Sequence, residues 1–268
     1  MKFSVVVTGS DAVFSALTFK GELFDGMKMA KELGYDAVEL ALRDPESLNV
    51  ETLELMLKDL NIGVSAIGTG RAYTEEGLSL SSDNDEVRHK AIQRIKAHIR
   101  LARELRCFVI IGLMRGNPTD PRKAYPLLAE SLSELDSYAK ANGVKLLLEP
   151  INPQETSLLN TVSQTYEFIK LHDYRNVGLL VDTYHMYRTE EDMFRSIEEH
   201  SDLVWYVHVA DHDRDVPGTG EIDFQQLFNT LRGIGYDGYV SLECVSKLSP
   251  YETAKRNIEY LKGILERC

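Results

Sequence analysis

The sequence predicts a single-domain (β/α)8 TIM barrel, an α/β fold spanning residues 1–268, on three observations. Short runs rich in Val, Ile and Leu recur from one end of the chain to the other without strict alternation, the pattern of parallel strands buried on both faces. Longer segments with helical spacing fill the gaps between them. No Pro/Gly/Ser linker, low-complexity tract or internal repeat breaks the series, and 268 residues suit one barrel better than two catalytic domains. An open doubly wound sheet would alternate in the same way, but no GxGxxG follows the first run.

The eight runs lie at residues 3–7, 37–40, 63–67, 108–112, 145–149, 177–182, 203–209 and 239–243. The first follows a single basic residue, Lys2, and gives way at once to polar Thr8-Gly9-Ser10-Asp11. It therefore reads as a buried strand and not as a signal peptide. Among the helical segments, 25–33 ends at Gly34, a C-cap position, and 85–105 sets Val87, Ile92, Ile95, Ile99 and Leu101 on one side. Segment 124–141 ends at Asn142-Gly143, and 224–234 ends at Gly235. The stretch 68–84 after the third run is an unusually long loop carrying Arg71, Tyr73, Glu75 and Glu76, as expected of an active-site cover.

Bulk properties narrow the function. Lys and Arg total 30 against 42 Asp and Glu, a formal net charge of -12, and no basic run offsets it. Such a surface repels a phosphate backbone, so a nucleic-acid partner is excluded as a first reading. Cys107, Cys244 and Cys268 lie far apart with no CxxC spacing, which argues against a disulfide framework or a cysteine zinc site and suits a reducing cytoplasm. No apolar stretch approaches the length that crosses a bilayer, so no membrane partner is expected.

In a barrel of this kind the working side chains stand at the carboxyl ends of the strands. Four consecutive runs end on metal-competent residues: Leu146-Leu147-Leu148-Glu149, Leu179-Leu180-Val181-Asp182, Trp205-Tyr206-Val207-His208 and Val240-Ser241-Leu242-Glu243. One glutamate at a strand end proves little, and a lone histidine is more often a satisfied core residue. Four groups converging at one mouth are different, because buried charges there are costly unless paired or bound to a cation. Three carboxylates and one imidazole suit one hard or borderline ion: Mn²⁺ first, with Mg²⁺ or Co²⁺ as alternatives.

The segments Leu148-Glu149-Pro150-Ile151-Asn152, Val181-Asp182-Thr183-Tyr184-His185-Met186, Val207-His208-Val209-Ala210-Asp211, Pro217-Gly218-Thr219-Gly220-Glu221-Ile222-Asp223-Phe224 and Gly235-Tyr236-Asp237-Gly238-Tyr239 resemble the xylose-isomerase-like barrels. Within these the chain is similar to ketose 3-epimerases of the D-tagatose 3-epimerase type. The resemblance covers nearly the whole chain and is specific from Glu149 onward. It implies the same four ligands, with Glu149 and Glu243 also acting as the two acid/bases. It further implies substrate-polarising roles for Glu155, His185 and Arg214. A helix-start surface residue is the other reading of His185, and a solvated charge cluster that of Arg214 and Glu155. Relatives of this kind are often dimers or tetramers, which implies a homo-oligomer.

The expected chemistry is proton exchange at C3 of a 2-ketose or keto-sugar acid through a cis-enediolate, one glutamate taking the proton from one face and the other returning it on the opposite face. Arg71 and Arg115, in loops at the mouth, are candidate partners for a substrate carboxylate or phosphate, with ordinary surface arginines as the alternative. Three rival readings follow. An aldose–ketose isomerase such as a hydroxypyruvate isomerase, or an inosose dehydratase, would use a similar pocket. An endonuclease IV-like hydrolase needs more His and Asp ligands, whereas the third and fourth runs end at Ile67-Gly68-Thr69-Gly70 and Ile111-Gly112-Leu113-Met114, without histidine. A non-enzymatic metal-dependent sugar-binding module would not need two bases.

Overall fold

The computed structural model describes residues 1–9, 12, 18–21, 23–245 and 248–267. Ser10, Asp11 and Cys268 lie outside the described residues. The strands are β1 (Lys2–Gly9), β2 (Phe19–Gly21), β3 (Ala37–Ala41), β4 (Gly63–Gly68), β5 (Phe108–Ile111), β6 (Leu146–Leu148), β7 (Val177–Asp182), β8 (Val204–Val209) and β9 (Tyr239–Leu242). The sheet runs β2-β1-β3-β4-β5-β6-β7-β8-β9, and β9 pairs back on β1 to close it. All pairings are parallel. The eight predicted runs are the eight strands of the closed barrel. The ninth strand, β2, lies outside the ring along the end of β1, and at three residues it is too short to leave a hydrophobic signature.

Helices follow the strands because each strand must cross over to meet a parallel neighbour. The helix Asp85–Leu105 has the predicted bounds. It is well marked in sequence, with Asn84 Oδ1 accepting from the backbone N–H groups of Glu86 and Val87 at 2.9 and 3.3 Å. The predicted 124–141 helix starts earlier, as Pro121–Asn142, because Asp120 caps it and Pro121 fits the first turn. Gly143 ends it at φ +67°. The long loop expected at 68–84 requires correction: it contains the helix Gly70–Glu76, closed by Gly77. Two turns with no side-chain cap and two buried residues give too little periodicity to be seen in sequence.

The core has two layers. A large one lies between strands and helices and includes Val5, Val38, Leu40, Val109, Ile111, Ile95, Ile99 and Leu132. A smaller one joins Ala66, Ile110, Leu147, Leu180 and Tyr206, side chains of five different strands that meet inside the ring. Side chains alternate faces along a strand, so positions two residues apart share a face. Glu149, Asp182 and His208 each stand two residues beyond an inward-facing residue of that inner layer, Leu147, Leu180 and Tyr206. The inner layer thus forms the floor and the ligand candidates the next tier. Register shifts fall between Val38 and Glu39 and between Leu179 and Leu180, where bulges re-aim the residues that follow. No helix among the described residues is long and apolar enough to cross a membrane.

Candidate active site

The backbones of the candidate ligands are held by the strand ladder. Asp182 pairs with His208 across β7 and β8. The Glu149 N–H donates to Ile111 O at 3.3 Å, and the Glu243 N–H to Val209 O at 3.3 Å. Thr183 ties β7 to β8 just above, its Oγ1 donating to Ala210 O at 2.6 Å and accepting from Ala210 N at 3.0 Å. Each ligand is therefore fixed at its root by the sheet.

The four side chains converge. One ligand atom from each of Glu149, Asp182, His208 and Glu243 lies within 4.8 Å of the others. His208 Nδ1 is 3.8 Å from Asp182 Oδ2, 3.9 Å from Glu149 Oε1 and 3.9 Å from Glu243 Oε2. Atoms bound to one ion at about 2.1–2.2 Å lie up to about 4.3 Å apart; the three His208 distances fall inside that limit, and the 4.8 Å bound on the whole group exceeds it by about half an ångström. Asp182 Oδ2 and His208 Nδ1 are buried with no hydrogen-bond partner among the described residues. Orphaned buried acceptors facing one point are what a metal site leaves behind when its charge is not counted. The residues present fit a divalent ion.

Room for this cluster comes from Gly112, just past the end of β5. A Cβ there would lie 2.6 Å from Glu149 Oε2. The strand that ends without a ligand therefore supplies space to the neighbour that has one.

Around the cluster sit the other candidates. His185 is buried in the helix Thr183–Thr189, its Nε2 3.8 Å from Glu149 Oε1. Its tautomer follows from Asn152, whose Oδ1 accepts from the Gln154 N–H at 3.0 Å, leaving Nδ2 to donate to His185 Nδ1 at 2.8 Å. The His185 proton is then on Nε2, facing the cluster. Burial, then the Arg214 and Arg115 guanidinium groups, hold the ring well below the usual histidine range and so neutral. Arg214 donates to Glu243 Oε2 at 2.9 Å and to Glu155 Oε1 at 3.3 Å, and its guanidinium lies over the Tyr184 ring. Glu155 also accepts from Asn152 Nδ2 at 3.2 Å. The structure thus brings Glu155, His185 and Arg214 to the ligand cluster.

The segment carrying Arg214 is not a solvated charge cluster. The Asp211 carboxylate accepts from the backbone N–H groups of His212, Gly218, Gly220 and Ile222 at 2.8–3.2 Å. These donors outweigh burial and hold its carboxyl below the usual range. The two glycines of the Pro-Gly-Thr-Gly motif spend their amides on Asp211, which folds the turn where Arg214 adopts φ +67°.

Arg71 reaches the mouth, whereas Arg115 departs from expectation. Arg71 lines the cavity but lies in a fork with Glu75, at 2.8 and 3.1 Å, and donates to Thr8 Oγ1 at 3.2 Å. Arg115 is fully buried and donates to the carbonyls of Gly112, Leu158 and Leu159 at 3.0–3.3 Å. It braces the backbone beneath the mouth and presents no donor to a substrate there. Arg115 looked like a loop arginine because sequence does not reveal which carbonyls a loop leaves bare, and Arg71 did because its short helix leaves little periodicity.

Sequence reasoning missed Glu39, Asn152 and Asp211 as parts of the site. Glu39 carried a readable signal, a carboxylate inside the fully buried run Ala37–Ala41. It accepts from His208 Nε2 at 2.8 Å and from Tyr206 OH at 2.9 Å.

A model of the xylose isomerase-like TIM barrel family matches residues 27–264, and the chain belongs to that family. It is 30% identical over 241 residues to the L-ribulose 3-epimerase of Mesorhizobium japonicum, covering 87% of this chain and 79% of that one. It is 31% identical over 225 residues to the ketose 3-epimerase of Arthrobacter globiformis, covering 82% and 76%. A solved structure of an L-ribulose 3-epimerase superposes with a TM-score of 0.83 at 27% identity, over 99% of this chain and 95% of that one.

Without metal, the cluster holds protons. Burial and then the Glu243 carboxylate push Glu149 up to about 8, and burial raises Asp182 to about 6. For His208, burial disfavours the imidazolium, but Glu39 first and then Glu243 and Glu149 outweigh it, raising the ring to about 10. All three bind protons more tightly folded than unfolded. Their contribution to stability is present at low pH and is lost as pH rises through these folded values. A divalent ion displaces the same protons, so its affinity rises with pH. The Tm of metal-free protein is expected to fall between about pH 5 and pH 10, and the gain in Tm on adding Mn²⁺ to grow over that range. Calorimetry across this range checks it; a metal-induced gain that does not change with pH would contradict the cluster's charge balance. Gly112→Ala is expected to weaken Mn²⁺ binding at least tenfold by displacing the Glu149 carboxylate, while circular dichroism stays unchanged. Unaltered affinity would mean that Glu149 is not held where Gly112 makes room.

Proposed function

We propose that the chain is a divalent-metal-dependent carbohydrate epimerase that inverts C3 of an uncharged 2-ketose. The observation that carries this reading is the placement of two carboxylates, Glu149 and Glu243, on non-adjacent strands within one ligand cluster, with a neutral His185 and a charged Arg214 beside them. The 3-epimerase relatives support it. An ion held by Glu149, Asp182, His208 and Glu243 supplies Lewis acidity and a template for adjacent substrate oxygens.

The remaining work belongs to the side chains. One of Glu149 and Glu243 takes the C3 proton as a general base, and the other delivers a proton to the opposite face. His185 donates from Nε2 to the substrate carbonyl oxygen, where negative charge grows as the proton leaves. Arg214 adds its charge to the same region and, through its bond to Glu243, holds that side chain in place. Glu155 and Asn152 hold Arg214 and His185 in place.

The charges at the mouth favour an uncharged ketose over a keto-sugar acid. Arg71 already faces Glu75, Arg214 faces Glu155 and Glu243, and the described lining residues include no lysine. A substrate carboxylate would enter beside several protein carboxylates with no cation not already engaged by one.

Proton NMR in D₂O with the Mn²⁺-loaded protein tests the reading on a panel of ketoses and keto-sugar acids, with the metal removed before spectra are taken. Deuterium is expected at C3 of an uncharged ketose together with its C3 epimer. Glu243→Gln is expected to lower the rate by about 10²–10⁴-fold. Exchange at C1 with an aldose or aldehyde product would replace the epimerase reading by an aldose–ketose isomerase. No exchange in any compound would overturn both.

A further inference from the structure

A buried chain of hydroxyl groups runs beneath the ligand cluster and ends on one carboxylate. Ser4 Oγ is 2.7 Å from Ser65 Oγ, Ser65 Oγ is 2.7 Å from Tyr206 OH, and Tyr206 OH donates to Glu39 Oε2 at 2.9 Å. The same Glu39 oxygen lies 2.8 Å from His208 Nε2. All five residues are buried, on β1, β4, β8 and β3. Tyr206 gives its only proton to Glu39, and Ser65 Oγ also lies 3.2 Å from Val38 O, a second acceptor for its single proton. The Tyr206 phenol is thus held in place from below while its proton points to Glu39.

We infer that Glu39, steadied by Tyr206, is a positioning residue that fixes His208 as the Nε2–H tautomer, so that Nδ1 is the atom offered to the metal. This rests on the metal-site reading above and goes beyond it by placing the control of metal affinity on β3, a strand that contributes no ligand. The geometry leaves one consistent assignment. Nε2 faces an acceptor and so carries the proton. Nδ1 has no partner among the described residues and faces Asp182, Glu149 and Glu243 at 3.8–3.9 Å. A carboxylate behind a ligating imidazole fixes the ring and raises its basicity, and losing it weakens metal affinity by about 10–100-fold. Because Tyr206 supports Glu39 and does not touch the ligands' metal-facing atoms, its removal acts more weakly.

Metal-stripped wild type, Glu39→Gln and Tyr206→Phe are each titrated with MnCl₂ alone by calorimetry, with Tm recorded beside each. Glu39→Gln is expected to bind Mn²⁺ about 10–100-fold more weakly, Tyr206→Phe by a smaller factor. The KM for the ketose at saturating Mn²⁺ is expected to stay within about twofold, since Glu39 acts through His208. Folded Glu39→Gln with wild-type Mn²⁺ affinity would overturn the inference, as would a raised KM with unchanged metal affinity. If Glu39→Gln does not fold, ¹⁵N NMR of Zn²⁺-loaded wild type decides the question. The expected His208 has a proton on Nε2 and none on Nδ1; a proton on Nδ1 overturns the inference. Wild type that takes up no Mn²⁺ would instead defeat the metal-site reading itself, a result distinct from equal affinity in the variant.

Discussion

Three carboxylates within a few ångströms of one another, two of them buried, repel, and the upper end of the barrel is arranged around that repulsion. Glu149, Asp182 and Glu243 each face His208 Nδ1 at nearly the same distance. In the absence of a cation, burial first and then the neighbouring carboxylates make Glu149 and Asp182 hold protons more tightly than free side chains do, and Glu39 followed by Glu243 and Glu149 does the same for His208. A divalent ion relieves the repulsion more completely, because it satisfies several lone pairs at once and needs no proton. The same residues are thus poorly placed as a structural core and well placed as a metal centre.

What makes the arrangement tolerable is its support. The parallel ladder fixes each candidate ligand at its backbone, and the period of two along the strand stacks Glu149, Asp182 and His208 above packed floor residues. Above the ladder, bonds to neutral or oppositely charged partners restrain the side chains: Asn152 holds His185, Arg214 bridges Glu155 and Glu243, and Asp211 folds the turn that carries Arg214. Most of these supports lie on loops that follow the strands, and their donors are spent on one another and on backbone. A substrate therefore meets a preorganised set of polar groups and not a flexible charged surface.

The barrel and the four residues that cluster at its mouth were legible in the chain because both depend on strong local patterns. Eight buried parallel strands leave eight apolar runs, and a metal-competent residue ending four runs in succession stands out against them. Asp85–Leu105 was readable to its last residue because it is long, amphipathic and capped by Asn84. The helix Gly70–Glu76 was hidden by its shortness. Arg115 misled for a different reason: its partners are backbone carbonyls of residues 112, 158 and 159, and no side-chain pattern announces them. Glu39 was visible as a charge in a buried run, but its meaning required knowing that β3 faces β8 across the interior, a long-range fact of barrel closure.

Binding of one divalent ion among the ends of four strands is the proposal on which the chemistry of this barrel rests. Anomalous diffraction from crystals of the Mn²⁺-loaded protein, collected at the manganese edge, tests it most directly. A single peak bounded by Glu149, Asp182, His208 Nδ1 and Glu243 is the predicted result. A crystal with no peak there, or with its ion bound elsewhere, would contradict the account.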